Sequence, residues 1–351
     1  MTSSTYTVDA LVTGATGFIG SHLMHTLLDQ GKRVRVMVRP GKDHGVLSNI
    51  PVEVVYGNLE DRQSVVDAAV GARVIYNCAG LSSDWAAKQK FHDANIRGVE
   101  NLLFALEESN ANRLVHISTS DVYGYPKIPC DESYGPRDIG LPYNRSKVEG
   151  EKVIWNAVKE RNLPVTVFRP ASVYGPRSME WVVEISQLML KKEMVLMNGG
   201  VSNAGLIYVG NLTRAMTIAA ESPVASGKSY NIRDTGKETW KDFVNGLGEC
   251  FTEESWSCSK VPAPLAYGVG YMSELAYGLL GIKKRPLLTR HAVNLLSRDQ
   301  GFDITRAQED LGFESWTSFA EGMEITRQWM RSEEGRACIL GEQALGADVY
   351  A

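Results

Sequence analysis

The segment Val8-Asp9-Ala10-Leu11-Val12-Thr13-Gly14-Ala15-Thr16-Gly17-Phe18-Ile19-Gly20 runs an apolar stretch straight into three glycines spaced by threes. From Phe18 to Gln30, Ile19, His22, Leu23, Thr26 and Leu27 fall on one helical face, and Gly31 stops the helix. Strand, glycine turn and helix in that order make a phosphate cradle. The glycines permit a tight turn, a close backbone approach to a pyrophosphate and close helix–strand packing, while the helix start offers free N–H groups to the anion. The spacing and context together predict a dinucleotide site at Gly14, Thr16, Gly17, Phe18, Ile19 and Gly20.

The same rhythm continues outward. Candidate strands at Val8–Thr13, Arg33–Val38, Val52–Tyr56, Arg73–Cys78, Arg113–Ser118 and Val165–Phe168 alternate with helical patterns. This predicts an α/β fold, a doubly wound (Rossmann) parallel sheet with a smaller C-terminal α/β substrate lobe. Past residue 175 short strands, at Gly205–Val209 and Ser229–Ile232, are interspersed with Pro and Gly. The expected division is 1–175 for the dinucleotide-binding unit, 176–335 for a substrate lobe interleaved with the sheet edge, and 336–351 for a tail.

Composition narrows the classes further. With 351 residues, 44% hydrophobic and 22% charged, the chain can bury a large core without disulfides or metal. Thirty-seven basic against 41 acidic residues, net −4, argues against a nucleic-acid partner. The five cysteines are odd in number and lack C-x-x-C, which fits a reducing cytoplasmic setting and offers no metal site. The first ten residues carry neither a basic nor an apolar run of a signal peptide. Pro264–Ile282 is apolar around its girth, with Glu274 its single charge and four glycines, and it reads as a buried or substrate-covering helix rather than an integral membrane span.

The end of the second strand bears on cofactor choice. Where a carboxylate would accept both ribose hydroxyls, the chain has Val38-Arg39-Pro40-Gly41-Lys42. Arg39 and Lys42 suit a 2′-phosphate, so NADP(H) is preferred and NAD(H) admissible; the other reading is that Arg39 only stacks on adenine or is solvated. Asn58-Leu59 and Cys78-Ala79-Gly80 follow the next two strands, where adenine and ribose would pass. Tyr-x-x-x-Lys occurs twice. Tyr123/Lys127 contains Pro126 and is a poor helix; Tyr143/Lys147 opens a helical run, which sets phenol and ammonium on one face. A fixed cation there would lower the phenol's pKa for proton transfer, although spacing alone does not separate this from a surface pair.

TGATGFIG (13–20), NCAG (77–80), Asn95 in NIRGVENLL, HISTSDVYG (116–124), YNRSK (143–147) and FRPASVYGP (168–176) together resemble the extended short-chain dehydrogenase/reductases, over about residues 8–331. The resemblance implies that Tyr143 is the catalytic acid/base and that Lys147 binds the nicotinamide ribose and tunes Tyr143. It makes Thr119, four residues before Tyr123-Gly124, the hydroxyl partner, with Ser118 and Ser120 as near alternatives. Asn95 would bond backbone near the active site or cap a helix. Pro170, Ala171, Ser172 and Val173 would lie beside the nicotinamide.

Branch features point further. Thr119-Ser120-Asp121 departs from the Thr-Asp-Glu of sugar-nucleotide dehydratases, and Ala204-Gly205 stands where nucleotide-sugar epimerases carry a diphosphate-clamping Arg. YVGNL (208–212), SYNIRD (229–234), PLLTR (286–290) and FDITRAQEDLGF (302–313) resemble the 3β-hydroxysteroid dehydrogenase-like branch. That resemblance implies an oxidoreductase that interconverts a secondary alcohol and a ketone on a mostly apolar small molecule, contacted by Ser82, Ser120, Tyr174, Tyr271 and Leu275. A homodimer is a compatible assembly. A nucleotide-sugar epimerase and a non-catalytic NADP-sensing regulator are the alternatives; the second usually lacks the Tyr/Lys pair.

Overall fold

A computed structural model of the chain describes residues 6–41, 47–251, 256 and 258–341. Eleven strands are present among them: β1 (Val8–Thr13), β2 (Val34–Val38), β3 (Glu53–Tyr56), β4 (Ala72–Asn77), β5 (Arg113–Ile117), β6 (Val165–Pro170), β7 (Ser172–Tyr174), β8 (Val195–Met197), β9 (Leu206–Tyr208), β10 (Lys228–Ile232) and β11 (Ser259–Val261). Seven of them form one parallel sheet in the order β10-β6-β5-β4-β1-β2-β3, and β7/β9 and β8/β11 make two small pairs. Both faces of this sheet are covered, so its central strands read as near-continuous apolar runs. Successive β1 residues show the two faces: Leu11 enters one apolar layer, with Ile75, Leu102 and Ile154, and Val12 enters the other, with Leu23, Leu27 and Val36. Chain order reverses between β1 and β4, and the crevice beyond their C-terminal ends is where such sheets take ligands.

Helices α1 (Phe18–Asp29), α2 (Arg62–Ala69), α3 (Lys88–His92), α4 (Gly98–Ser109), α5 (Pro142–Arg161), α6 (Glu184–Leu190) and α7 (Val209–Glu221) follow in chain order. Beyond them lie α8 (Trp240–Gly248), α9 (Ala263–Leu279), α10 (Arg290–Ser297), α11 (Thr305–Leu311), α12 (Phe319–Arg331) and α13 (Glu333–Leu340). Helices α2, α4 and α5 back one face of the sheet, and α1, α7 and α11 back the other. Between α3 and α4 the backbone widens into a π turn at Asp93–Arg97.

The sequence-derived strands match the observed ones closely, with β6 running on to Pro170, which pairs with Ile232. That pairing draws residues 228–232 back into the first unit's sheet. Two expectations are corrected. Part of the expected tail is ordered helix: α13 packs on α6 and α12 and buries Ile339. Of the two readings of Pro264–Ile282, buried or substrate-covering, the buried helix is not what forms. Of the residues in α9 only Ala266 and Gly270 are buried, because the helix meets the protein along one narrow seam.

Candidate active site

The β1–α1 turn is built on glycine for steric reasons. Gly14 has φ +72°, and a Cβ there would stand 2.7 Å from the Ala79 nitrogen; one on Gly20 would stand 2.2 Å from the Gly14 carbonyl oxygen. The turn is thereby pressed onto Cys78-Ala79 at the end of β4. Gly17 is the N-cap of α1 and offers no side-chain cap, so the helix start leaves its first N–H groups open to an anion. This tight glycine turn, with the open helix start above it, fits a dinucleotide pyrophosphate. Beneath it a polar chain crosses three strands: Thr13 Oγ1 donates to Asn77 Oδ1 at 2.6 Å, and Asn77 Nδ2 to His116 Nδ1 at 3.0 Å. Burial, then nearby Lys147, hold His116 well below the usual histidine range, so it stays neutral and can accept.

Of the other predicted cofactor residues, Arg39 is exposed just past β2, and Lys42 lies outside the described residues. Asn58 shapes the β3–α2 turn, its N–H donating to Ser64 Oγ at 3.0 Å and its Oδ1 accepting from the Glu60 N–H. The Leu59 carbonyl accepts from buried Asn101 at 2.7 Å. Burial pushes the Cys78 thiol up to about 12, which leaves it unreactive.

Helix α5 begins with Pro142 in its first turn, after extended Leu141, and places Tyr143 and Lys147 one turn apart. Lys147 Nζ donates to the Ile117 carbonyl at 2.9 Å, at the end of β5. Burial pushes this ammonium down to about 8. The Tyr143 hydroxyl hydrogen-bonds with Ser82 and Thr119, which lower its pKa, yet burial foremost and then the Asp121 and Glu180 carboxylates raise it well above the phenol range. Lys147 itself is held by a backbone carbonyl, and burial with the surrounding carboxylates keeps the Tyr143 phenol protonated. Thr119 caps the 3₁₀ turn 120–123, its Oγ1 accepting from Asp121 N–H at 3.2 Å, with Ser120 buried beside it. Ser82 Oγ donates to Glu180 at 2.8 Å.

Three buried contacts fix α5. Asn144 Nδ2 donates to the Asp121 carbonyl at 2.7 Å. Glu151, fully buried, pairs with Arg169 of β6 and accepts from Ser118 Oγ and Trp155 Nε1. Asn95, in the π turn, accepts from Leu81 N–H at 2.8 Å and donates to the Leu81 carbonyl at 3.1 Å and to Ser146 Oγ at 2.9 Å. Of the two readings of Asn95, bonding backbone near the site is the one observed. Tyr123, of the rejected motif, is locked away: its hydroxyl meets Asn231 and Arg169.

A cleft of about 380 Å³ opens over Tyr143, lined among others by Trp85, Leu141, Tyr271, Leu275 and His291. Tyr271 and Leu275 reach it from α9. Ala171 to Val173 follow β6 at the crevice, with Ser172 buried in β7. Tyr174 does not reach the cleft. It is buried against Tyr208, Phe243 and Phe319 in the second lobe, because β7 turns its ring into that core. His291, from α10, was missed by sequence reasoning. Its Nδ1 lies 2.6 Å from the Tyr125 hydroxyl, its Nε2 is 3.8 Å from Asp121, and its ring meets Tyr143 edge-on at 5.8 Å. A lone histidine 148 positions from Tyr143 carries no local signal of this meeting; the PLLTR resemblance just before it was the nearest clue.

A parallel sheet with a glycine cradle at its switch point, and a tyrosine and lysine one turn apart at the same crevice, define a dinucleotide-dependent enzyme fold. The NAD dependent epimerase/dehydratase family matches residues 10–232, and the chain belongs to it. It is 26% identical over 320 residues to a 4-hydroxy-2-methyl-3-oxo-4-farnesyl-3,4-dihydroquinoline-1-oxide ketoreductase of Stigmatella aurantiaca, covering 90% of this chain and 95% of that protein. It is 29% identical over 345 residues to 3beta-hydroxysteroid-dehydrogenase/decarboxylase isoform 1 of Arabidopsis thaliana, covering 90% and 78%. A UDP-glucuronic acid 4-epimerase of Bacillus cereus, solved with UDP-glucuronic acid and NAD, shares the fold at TM-score 0.71 and 21% identity over 92% of this chain and 99% of that one. The protein is an NAD(P)-dependent oxidoreductase acting on CH–OH groups.

Proposed function

We propose that the protein interconverts a secondary alcohol and a ketone on a mostly apolar small molecule, with NADP(H) preferred. The observation that carries this is the cleft over Tyr143. Its apolar walls are Trp85, Leu141, Tyr271 and Leu275. Of the charged groups at its rim, Arg290 is paired with Glu274 and Asp84 with Arg285. That leaves the exposed Lys88 as the one lysine or arginine of the lining without an ion pair among the described residues, at the solvent edge rather than in a buried clamp. A buried diphosphate needs a cationic partner, whereas an apolar ring gains about 25 cal/mol per Å² buried. The relatives named for a farnesylated quinoline oxide and a hydroxysteroid support an apolar substrate.

Gly14, Thr16, Gly17 and the start of α1 would hold the pyrophosphate, Arg39 the 2′-phosphate, Lys147 the nicotinamide ribose, and Pro170–Val173 would flank the ring. When bound, the nicotinamide supplies or accepts the hydride. Tyr143, kept protonated by burial, gives its proton to the substrate oxygen in reduction and recovers it in oxidation. Thr119 donates a hydrogen bond to the same oxygen as it gains charge. The test is cofactor turnover against a panel of apolar ketones, apolar alcohols and UDP-sugars. Turnover with apolar ketones or alcohols supports the reading, and calorimetric UDP-sugar binding at micromolar concentration overturns it in favour of an epimerase.

A further inference from the structure

Helix α9 is inside out. Its one charged residue, Glu274, faces the protein, where its carboxylate accepts from Arg290 N–H and Nε at 2.7 Å each. Ala266 and Gly270 complete that inner seam, and a Cβ on Gly270 would stand 3.1 Å from the Thr289 carbonyl carbon. The opposite face is Leu265, Val269, Met272 and Leu279, which are 62%, 51%, 61% and 80% exposed, with Leu280 beyond them. These positions recur at helical spacing, so they make one continuous stripe. More than half of the exposed large hydrophobic side chains among the described residues lie between 265 and 287. Soluble monomers rarely leave such a stripe bare.

Charge says what covers it. Lys260 precedes the helix and Lys283 and Lys284 follow it, all three exposed, while the only acid between them is the inward-facing, paired Glu274. The chain as a whole is net −4, so this cationic frame is a local feature. Two copies packed through this face would set lysines against lysines whether the helices ran parallel or antiparallel, with no free carboxylate on the stripe to meet them. An anionic lipid surface answers both halves, taking the apolar side chains among its acyl chains and the ammonium groups among its phosphates. No described helix is long and apolar enough to cross a membrane, and the 17 residues of α9 would lie along the surface.

We propose that α9 and the following Gly281–Lys284 form a monotopic docking face for an anionic membrane surface. The proposal stands whatever the cleft takes. The full chain is to be sedimented with vesicles of phosphatidylcholine alone and of phosphatidylcholine mixed with phosphatidylserine. Binding to the mixed vesicles that weakens with salt is expected. Each lysine near an anionic surface strengthens binding about five-fold, so Lys283→Ala/Lys284→Ala should weaken it on the order of 20-fold. Leu265→Ser/Met272→Ser should abolish it while leaving the circular dichroism and melting temperature unchanged, because both side chains are exposed. Absence of binding to the mixed vesicles overturns the proposal. So does binding that these substitutions leave untouched, or a dimer in analytical ultracentrifugation that Leu265→Ser/Met272→Ser disperses while vesicle binding persists.

Discussion

Asn95 and Ser146 are hydrogen-bonded at 2.9 Å, and Ser146 Oγ in turn donates to the Tyr143 carbonyl at 2.8 Å. The π turn that carries Asn95 thus holds both the Gly80-Leu81 loop and the first turn of α5. The contact is intimate, since α5 crosses the Asn95 carbonyl at Gly150, where a Cβ would lie 2.4 Å from that oxygen.

Gly150→Ala should therefore destabilise the protein, although alanine is the better helix former by about 1 kcal/mol. The added methyl must push α5 away from the π turn, and backbone on both sides resists. Asn95→Ala should cost about 1–3 kcal/mol by leaving the Leu81 groups unpaired. Urea melts check both; a Gly150→Ala protein more stable than wild type would contradict this packing.

Tyr143→Phe should lower turnover by about 10²–10⁴ while cofactor affinity, measured by fluorescence titration, stays near wild type. Tyr123→Phe should do the reverse. Its hydroxyl joins Asn231 and Arg169 inside the protein, so removal should cost about 1–3 kcal/mol of stability with turnover largely kept. Substantial activity in Tyr143→Phe would remove Tyr143 from the proton transfer.

What could be read in advance divides by distance along the chain. The strands and the glycine turn were legible because their signals are local: apolar runs with period two or none, and three glycines that sterics demands. Tyr143 and Lys147 were legible because a helical turn brings them together. His291 was not, since only the return of α10 over the cleft sets it against Tyr143. Tyr174 was misplaced because its neighbours in sequence line the crevice while its own ring turns into the second lobe. The exposure of α9 was not legible for another reason: a helix apolar around its girth has one composition whether it is buried in a core or stands open beside a cleft.

Arg39 stands exposed at the end of β2, with no acid adjacent in sequence. Wild type should bind NADPH more tightly than NADH, and Arg39→Asp should reverse the order, because a carboxylate repels the 2′-phosphate and accepts the ribose hydroxyls instead. Titration of both cofactors against both proteins decides it. Equal affinities in the wild type would mean that Arg39 does not hold a 2′-phosphate and only stacks on adenine or stays in solvent.

Lys147 predicts how cofactor binding and stability respond to pH. Burial pushes its pKa down to about 8 from an ordinary 10.5. Below 8 both the folded and unfolded chains carry the proton, and the folded state bears the whole penalty of a desolvated ammonium. Between about 8 and 10.5 the folded protein releases the proton and the unfolded chain keeps it, so stability rises with pH through that window. The rise should be absent in Lys147→Met, and the difference between the two proteins isolates the lysine from other titrating groups. Cofactor binding should run the other way. Ribose oxygens and nearby phosphates favour the ammonium, so binding takes up a proton above pH 8, and NADPH affinity should fall as pH climbs past that point while that of Lys147→Met stays flat. Urea melts of the cofactor-free protein and NADPH titrations across pH 7 to 10 test the two slopes together. An NADPH affinity in the wild type that is indifferent to pH over that range would mean that Lys147 does not touch the cofactor.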